Sequence, residues 1–252
     1  SPDIVFHAAA YKHVPLMQRF PLEAFTNNVG GSLTMMRQAV AAKVSHFVYV
    51  STDKAVNPVN VMGATKRVGE MLMECIAQDA PDTTFNAVRF GNVIQSSGSV
   101  MQIFRNQIAR GQSLTVTDPD VTRFFMTLDE ASQLVIQSAF VGSPGDIYVL
   151  DMGEPVRILD LAQSLVRAVD PTLRIEITGL RPGEKMFEEL SYEPENVSPT
   201  ANGKIFIVRD ALPYDRVHFM QVIDDLLSRT RARTISGDDV VTKLRGLGFA
   251  IQ

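Results

Sequence analysis

A regular alternation of short apolar runs with longer segments of helical periodicity constrains this chain more than any other property. Asp3 to Ala8, His46–Val50, Thr84–Phe90 and Asp146–Leu150 read as strands, Leu173–Ile177 as extended chain and Lys204–Val208 as a further strand. Between them, Leu22 to Lys43 reads as a helix, because Leu22, Phe25, Val29, Leu33, Met36 and Val40 recur at helical steps. Met62–Ala80, Val100–Arg110, Leu128–Phe140 and Ile158–Val169 read likewise, and Asp215–Ser228 and Gly237–Leu247 close the chain as two more helices. Strands joined by helix-length crossovers pair in parallel, so the expected fold is α/β with a doubly wound parallel sheet. Gly30-Gly31 interrupts the first long helix; glycine there costs about 1 kcal/mol against alanine, which close packing on a sheet is expected to offset.

Composition narrows the function classes. The 252 residues are 45% hydrophobic and 21% charged, with a formal net charge of −4. That balance disfavours an electrostatic nucleic-acid surface. No run approaches the ~20 apolar residues of a membrane span. The single cysteine, Cys75, excludes an internal disulfide and fits a reducing cytoplasm. His7, His13, His46 and His218 are scattered, so no metal site is expected.

Chemistry-bearing residues gather at one strand end. The apolar run His46–Val50 delivers Ser51-Thr52-Asp53-Lys54, and Met62-Gly63-Ala64-Thr65-Lys66 opens the next helix with Lys66 one turn after Met62. Ligands bind open α/β sheets at the carboxyl ends of their strands. Taken alone, Asp53-Lys54 also reads as an Asx-type turn with a solvated lysine. Further segments extend the pattern: His7-Ala8-Ala9-Ala10-Tyr11-Lys12-His13-Val14-Pro15, Asn57-Pro58-Val59-Asn60, Arg89-Phe90-Gly91-Asn92-Val93 and Arg181-Pro182-Gly183-Glu184-Lys185.

Together, in this order, these segments resemble the CapD-like polysaccharide-biosynthesis branch of the extended short-chain dehydrogenases, the nucleotide-sugar 4,6-dehydratases. The resemblance covers roughly residues 3 to 210. Methionine at position 62, where short soluble members carry tyrosine, resembles the long, membrane-anchored members. A second departure is the absence of a Gly-x-x-Gly-x-x-Gly turn, the backbone cradle for a dinucleotide pyrophosphate. With an apolar strand starting at Asp3, the expectation is that the nucleotide-binding half has been cut away. The isolated chain is then expected to turn over little or no substrate.

The resemblance implies a Rossmann-like fold lacking its first strands, with residues 1–153 as the remainder of the NAD(P)-binding domain. Residues 93–126 would be inserted toward a smaller substrate-binding lobe, 154–252, which includes the terminal helices. It implies NAD or NADP as cofactor and a nucleotide sugar, UDP-N-acetylglucosamine, as substrate. It also implies a homo-oligomer and a cytoplasmic location, with attachment of the whole protein to the inner face of the membrane. Oxidation at C4 makes H5 acidic; a base then removes H5 while an acid protonates the departing 6-hydroxyl, and hydride returns to C6. Such chemistry needs adjacent groups with pKa values pushed apart. In the family the lysine matching Lys54 is associated with the C5 step and the aspartate matching Asp53 with the leaving hydroxyl.

Lys66, by the same resemblance, holds the nicotinamide ribose, and Ser51 bonds the substrate near its C4 oxygen. Met62 cannot exchange a proton, so Asp53, Thr52 or a water would stand in for the missing tyrosine. Ala8, Ala9 and Ala10, Lys12 and Phe90 are expected against the cofactor, with Asn28 supporting the site from behind. Thr52, Asn92, Val100, Arg123, Arg181 and Glu184 are expected on the substrate side, the two arginines as diphosphate clamps. Phe124 and Phe125 are expected in the core. The alternatives are a UDP-sugar 4-epimerase and a catalytically silent nucleotide-sugar-binding domain.

Overall fold

The computed structural model describes residues 2–94, 96–193, 196–209 and 214–252. Its main sheet has six strands in the order Ile4–His7, His46–Val50, Thr84–Arg89, Ile147–Leu150, Ile205–Val208, Val197–Pro199. The first four run parallel, as the alternation predicts, and the last two join antiparallel. Ile4–His7 forms one edge of this sheet.

Successive strand residues point to opposite faces, and each face has its own core. Phe47, Tyr49, Phe85 and Ala87 pack with Leu33, Met36, Val68 and Leu72 from the helices after the first two strands. Val48, Val88, Tyr148 and Leu150 pack on the other face with Ala131 and Leu134. The latter two lie on the helix Leu128–Ser138, which Thr127 caps by accepting the Glu130 N–H at 3.1 Å.

The expected helix over 22–43 is built in three pieces: Pro21–Ala24, a π-helical stretch Phe25–Gly31, and Ser32–Ala41. Gly30 is packed there by the helix Arg216–Arg231 rather than by the sheet: a Cβ on it would lie 3.0 Å from a Leu227 methyl. An additional short helix, Val14–Arg19, has Pro15 in its first turn, where the missing N–H costs nothing.

Residues beyond 153 go two ways. The pair Leu114–Val116 with Ile175–Ile177, and the helices Val100–Ala109 and Ile158–Val169, enclose a small separate core of Phe104, Leu114, Val116, Val121, Ile158 and Ala162. Ile205–Val208, by contrast, extends the main sheet. The helices Arg216–Arg231 and Gly237–Gly246 return to its first face through Phe219, Ile223, Leu226, Val240 and Leu244. The terminal helices therefore belong with the main sheet, because their apolar stripes are buried there. Among the described residues no helix is long and apolar enough to cross a membrane.

Candidate active site

At the carboxyl ends of the parallel strands, a cleft of about 480 Å³ separates the main sheet from the small core. One wall is the 3-10 turn Asp53–Ala55 and the start of the helix Val61–Asp79. Asn60 caps that helix by accepting the Gly63 N–H at 2.7 Å, and its amide donates to the Gly183 carbonyl at 2.9 Å. Gly63 is required by contact: a Cβ there would come 2.2 Å from the Lys54 carbonyl oxygen. One glycine thus lets the helix start press against the turn that carries Asp53 and Lys54.

Lys54 Nζ donates to Asp53 Oδ1 at 3.0 Å and to Asn92 Oδ1 at 3.3 Å, and lies 3.6 Å from Glu188 Oε1. Burial works against the ammonium form, but the two carboxylates outweigh it and raise the Lys54 pKa above its ordinary value. A neutral, basic lysine is therefore not the resting state. Lys54, Asn92 and Glu188 line the cleft, whereas Asp53 is fully buried and stands behind them. Thr52, also on the wall, donates its hydroxyl to Asp53 Oδ1 at 2.8 Å. The other oxygens of the pair, Asp53 Oδ2 and Glu188 Oε2, are buried without a hydrogen-bond partner among the described residues.

Below this wall lies a charged cluster of opposite character. Ser51 Oγ donates to Glu70 Oε1 at 2.6 Å, Arg89 Nε to the same oxygen at 2.9 Å, and Arg89 and Arg67 reach Glu70 Oε2 at 2.8 and 3.0 Å. Burial alone would raise the Glu70 pKa; the two guanidiniums and Ser51 overcome it and bring it down to about 2. Glu70 is thus a permanent anion that cannot accept a proton at neutral pH. With its only hydrogen committed to Glu70, Ser51 faces a substrate as an acceptor.

Lys66 lies one turn after Met62, and both are buried side chains that border the cleft. Lys66 Nζ stands 4.2 Å from the Tyr49 ring centroid and makes no hydrogen bond among the described residues. Burial lowers its pKa to about 8, with Glu70 pulling the other way. His7 shares a 2.9 Å hydrogen bond with Ser32 Oγ, and burial next to Lys66 lowers its pKa to about 4. Asn28 does not reach the cleft. Its amide donates to the Tyr11 carbonyl and to Thr65 Oγ1, each at 3.0 Å, and its oxygen accepts the Tyr11 N–H at 2.7 Å. It pins the strand end to the helix from behind.

Ala8, Ala10, Lys12, Phe90, Val100 and Arg181 also line the cleft, but Ala9 does not. Alternation turns Ala9 toward a second depression beside His7 and Asn27. Arg123 is near the site but differently employed from the expected diphosphate clamp. Its terminal nitrogens donate to the carbonyls of Thr122, Met186 and Lys185 and to Glu184 Oε1, at 2.6 to 3.1 Å. Glu184 also accepts from Thr117 Oγ1 at 3.1 Å. Arg123 and Glu184 therefore tie down the loop that follows Arg181. That loop brings in Glu188, which sequence spacing does not reveal. The charged residues Arg67, Glu70 and Arg89 inside apolar elements were the available signal for the buried cluster.

The family model described as "Polysaccharide biosynthesis protein" matches residues 1–210. The capsular polysaccharide biosynthesis protein CapD of Staphylococcus aureus is 52% identical over 192 residues, 75% of this chain and 32% of CapD. A UDP-glucose 4-epimerase of Rickettsia canadensis is 41% identical over 190 residues, 75% of this chain and 55% of that protein. The X-ray structure of Pen from Bacillus thuringiensis superimposes with a TM-score of 0.76 at 37% identity, covering 84% of this chain and 66% of Pen. The chain spans only a third to about half the length of these curated relatives. Matched over residues 1–210, the chain belongs to the polysaccharide biosynthesis protein family, and its fold is of the Rossmann type.

Proposed function

We propose that these residues form the sugar-binding and acid–base part of a nucleotide-sugar 4,6-dehydratase that acts on UDP-N-acetylglucosamine with NAD or NADP. The observation that carries this reading is Lys54, an ammonium bridging Asp53 and Asn92 on the cleft wall that also presents Lys66 and Ser51. Simple 4-epimerisation has no use for acid–base groups beyond C4. The residues fit the nicotinamide end of the cofactor: Ala8 and Ala10 leave the strand end open to close approach, and Lys66 has donors to spare for ribose hydroxyls. When bound, the nicotinamide supplies the hydride acceptor and donor.

The protein groups divide the remaining work. Ser51 accepts a hydrogen bond from the sugar near C4. Thr52, hydrogen-bonded to Asp53, offers the C4 hydroxyl proton a path that bypasses Met62. Lys54, charged at rest, stands ready to protonate a leaving hydroxyl. Arg181, exposed at the rim, is the better placed of the two arginines for a diphosphate.

The test is product analysis of the full-length protein in deuterated water. Deuterium at C5 and a 4-keto-6-deoxy sugar are expected. Inversion at C4 without deuterium at C5 would instead support the epimerase reading, which the Rickettsia relative favours. Tight UDP-sugar binding with no keto-sugar would identify a silent binding domain.

A further inference from the structure

We infer that Gln252 is a positioning residue for the nucleotide part of the substrate: through Gly183 it fixes the turn that presents Arg181 to the diphosphate. This role rests on the nucleotide-sugar reading of the cleft and on Arg181 as its diphosphate contact.

Residues 181–184 form a tight turn on the cleft wall. The Glu184 N–H donates to the Arg181 carbonyl at 3.0 Å, and the Arg181 N–H donates to Glu184 Oε2 at 3.2 Å. Gly183 sits in this turn with a φ of +75°, in the left-handed region that side chains disfavour. Contact excludes a side chain as well, since a Cβ there would lie 2.7 Å from Asn60 Cβ.

The turn is held from both walls of the cleft. On the side of the small core, Glu184 Oε1 accepts Arg123 and Thr117, each at 3.1 Å. On the side of the main sheet, two side chains take both polar groups of the Gly183 backbone. Its carbonyl accepts the Asn60 amide at 2.9 Å, and its N–H donates to Gln252 Oε1 at 3.2 Å. Asn60 also caps the helix that carries Met62 and Lys66, so turn and helix share an anchor.

Gln252 suits this task because its own backbone is fixed. Its N–H donates to the Val59 carbonyl at 3.0 Å, and its carbonyl accepts Gln18 Nε2 at 2.6 Å. Gln18 Oε1 in turn accepts the Val61 N–H at 3.1 Å, one of the first-turn donors that a helix leaves unpaired. Just before it, Ile251 is buried in the main-sheet core, and its carbonyl accepts Arg245 Nε at 3.0 Å. Gln252 itself is exposed, and one neutral hydrogen bond adds little to folding stability. Its consequence lies in where Arg181 stands, two residues from the bonded N–H.

The experiment titrates UDP, the nucleotide without its sugar, into full-length wild type, Gln252→Ala, Arg181→Ala and the double variant. UDP binding is read whichever sugar product forms; KM and kcat are measured with UDP-N-acetylglucosamine. Loss of the bond to Gly183 is expected to raise the Kd for UDP and the KM about two- to tenfold, with kcat within about twofold of wild type. R181A should lose about ten- to a hundredfold in UDP affinity, as a charged contact does. Because Gln252 acts through Arg181, the double variant should bind UDP as weakly as R181A and no more weakly. Unchanged UDP affinity in Q252A, a fall in kcat at unchanged KM, or additive losses in the double variant overturns the inference. Unchanged affinity in R181A beside a loss in Q252A overturns the diphosphate role of Arg181 instead. A wild type that binds no UDP overturns the nucleotide-sugar reading itself. Should Q252A not fold, Gln252→Met, which keeps the reach but not the acceptor, carries the test with the same expectations.

Discussion

Two charged clusters lie on either side of the Ser51–Lys54 segment, and they differ in how completely their atoms are used. Below it, Glu70 receives Ser51, Arg67 and Arg89, so both of its oxygens are occupied and its charge is fixed. Above it, Asp53, Lys54 and Glu188 leave one oxygen on each carboxyl without a hydrogen-bond partner. The first cluster meets the cleft only through Ser51, whereas the second meets it through Lys54 and Glu188. Full pairing makes a charged group a support, whereas incomplete pairing leaves it free to exchange protons with a ligand.

The largest expected effect falls on the incomplete cluster. Lys54→Gln should cost about 10²–10⁴ in turnover per folded molecule, measured as keto-sugar formation. A variant that unfolds early but turns over normally would show the two clusters to be alike. Glu70→Gln should do the reverse. It leaves two buried guanidiniums facing a neutral amide, which costs about 3–5 kcal/mol in urea denaturation. Stability within ~1 kcal/mol of wild type would mean that the lower cluster supports nothing.

Smaller effects sharpen the border between the clusters. Gly63→Ala places a Cβ against the Lys54 carbonyl and should cost about 1–3 kcal/mol as an overpacked contact. Because it displaces the Lys54 turn, it should also slow turnover, and loss of stability alone would argue against this coupling. Met62→Leu conserves volume at a buried wall position and should cost less than about 1.5 kcal/mol. Turnover should stay within a few-fold of wild type, because a thioether takes no part in proton transfer; a large loss would give Met62 a role beyond packing.

The legible parts of the site were those that local sequence writes down. Ser51 to Lys54 follow an apolar strand directly, and Lys66 follows Met62 by one helical turn, so neighbours in sequence had to be neighbours in space. Ala9 reads like Ala8 and Ala10 because a run of three alanines hides the alternation that turns the middle one away from the cleft. Arg123 is expected from sequence as a diphosphate clamp because the carbonyls it binds, those of Lys185 and Met186, lie far along the chain. Glu188 was invisible for the same reason.

The sequence by itself determined the parallel α/β sheet and the strand end where the chemistry gathers, since both follow from periodicity and from spacing within one strand–helix unit. Tertiary structure alone decided the protonation of the site. Lys54 becomes a charged bridge, Glu70 a fixed anion and Lys66 a depressed amine because of the distant groups packed against each. Coulomb interactions and desolvation depend on distance through space, and a linear pattern does not encode that distance.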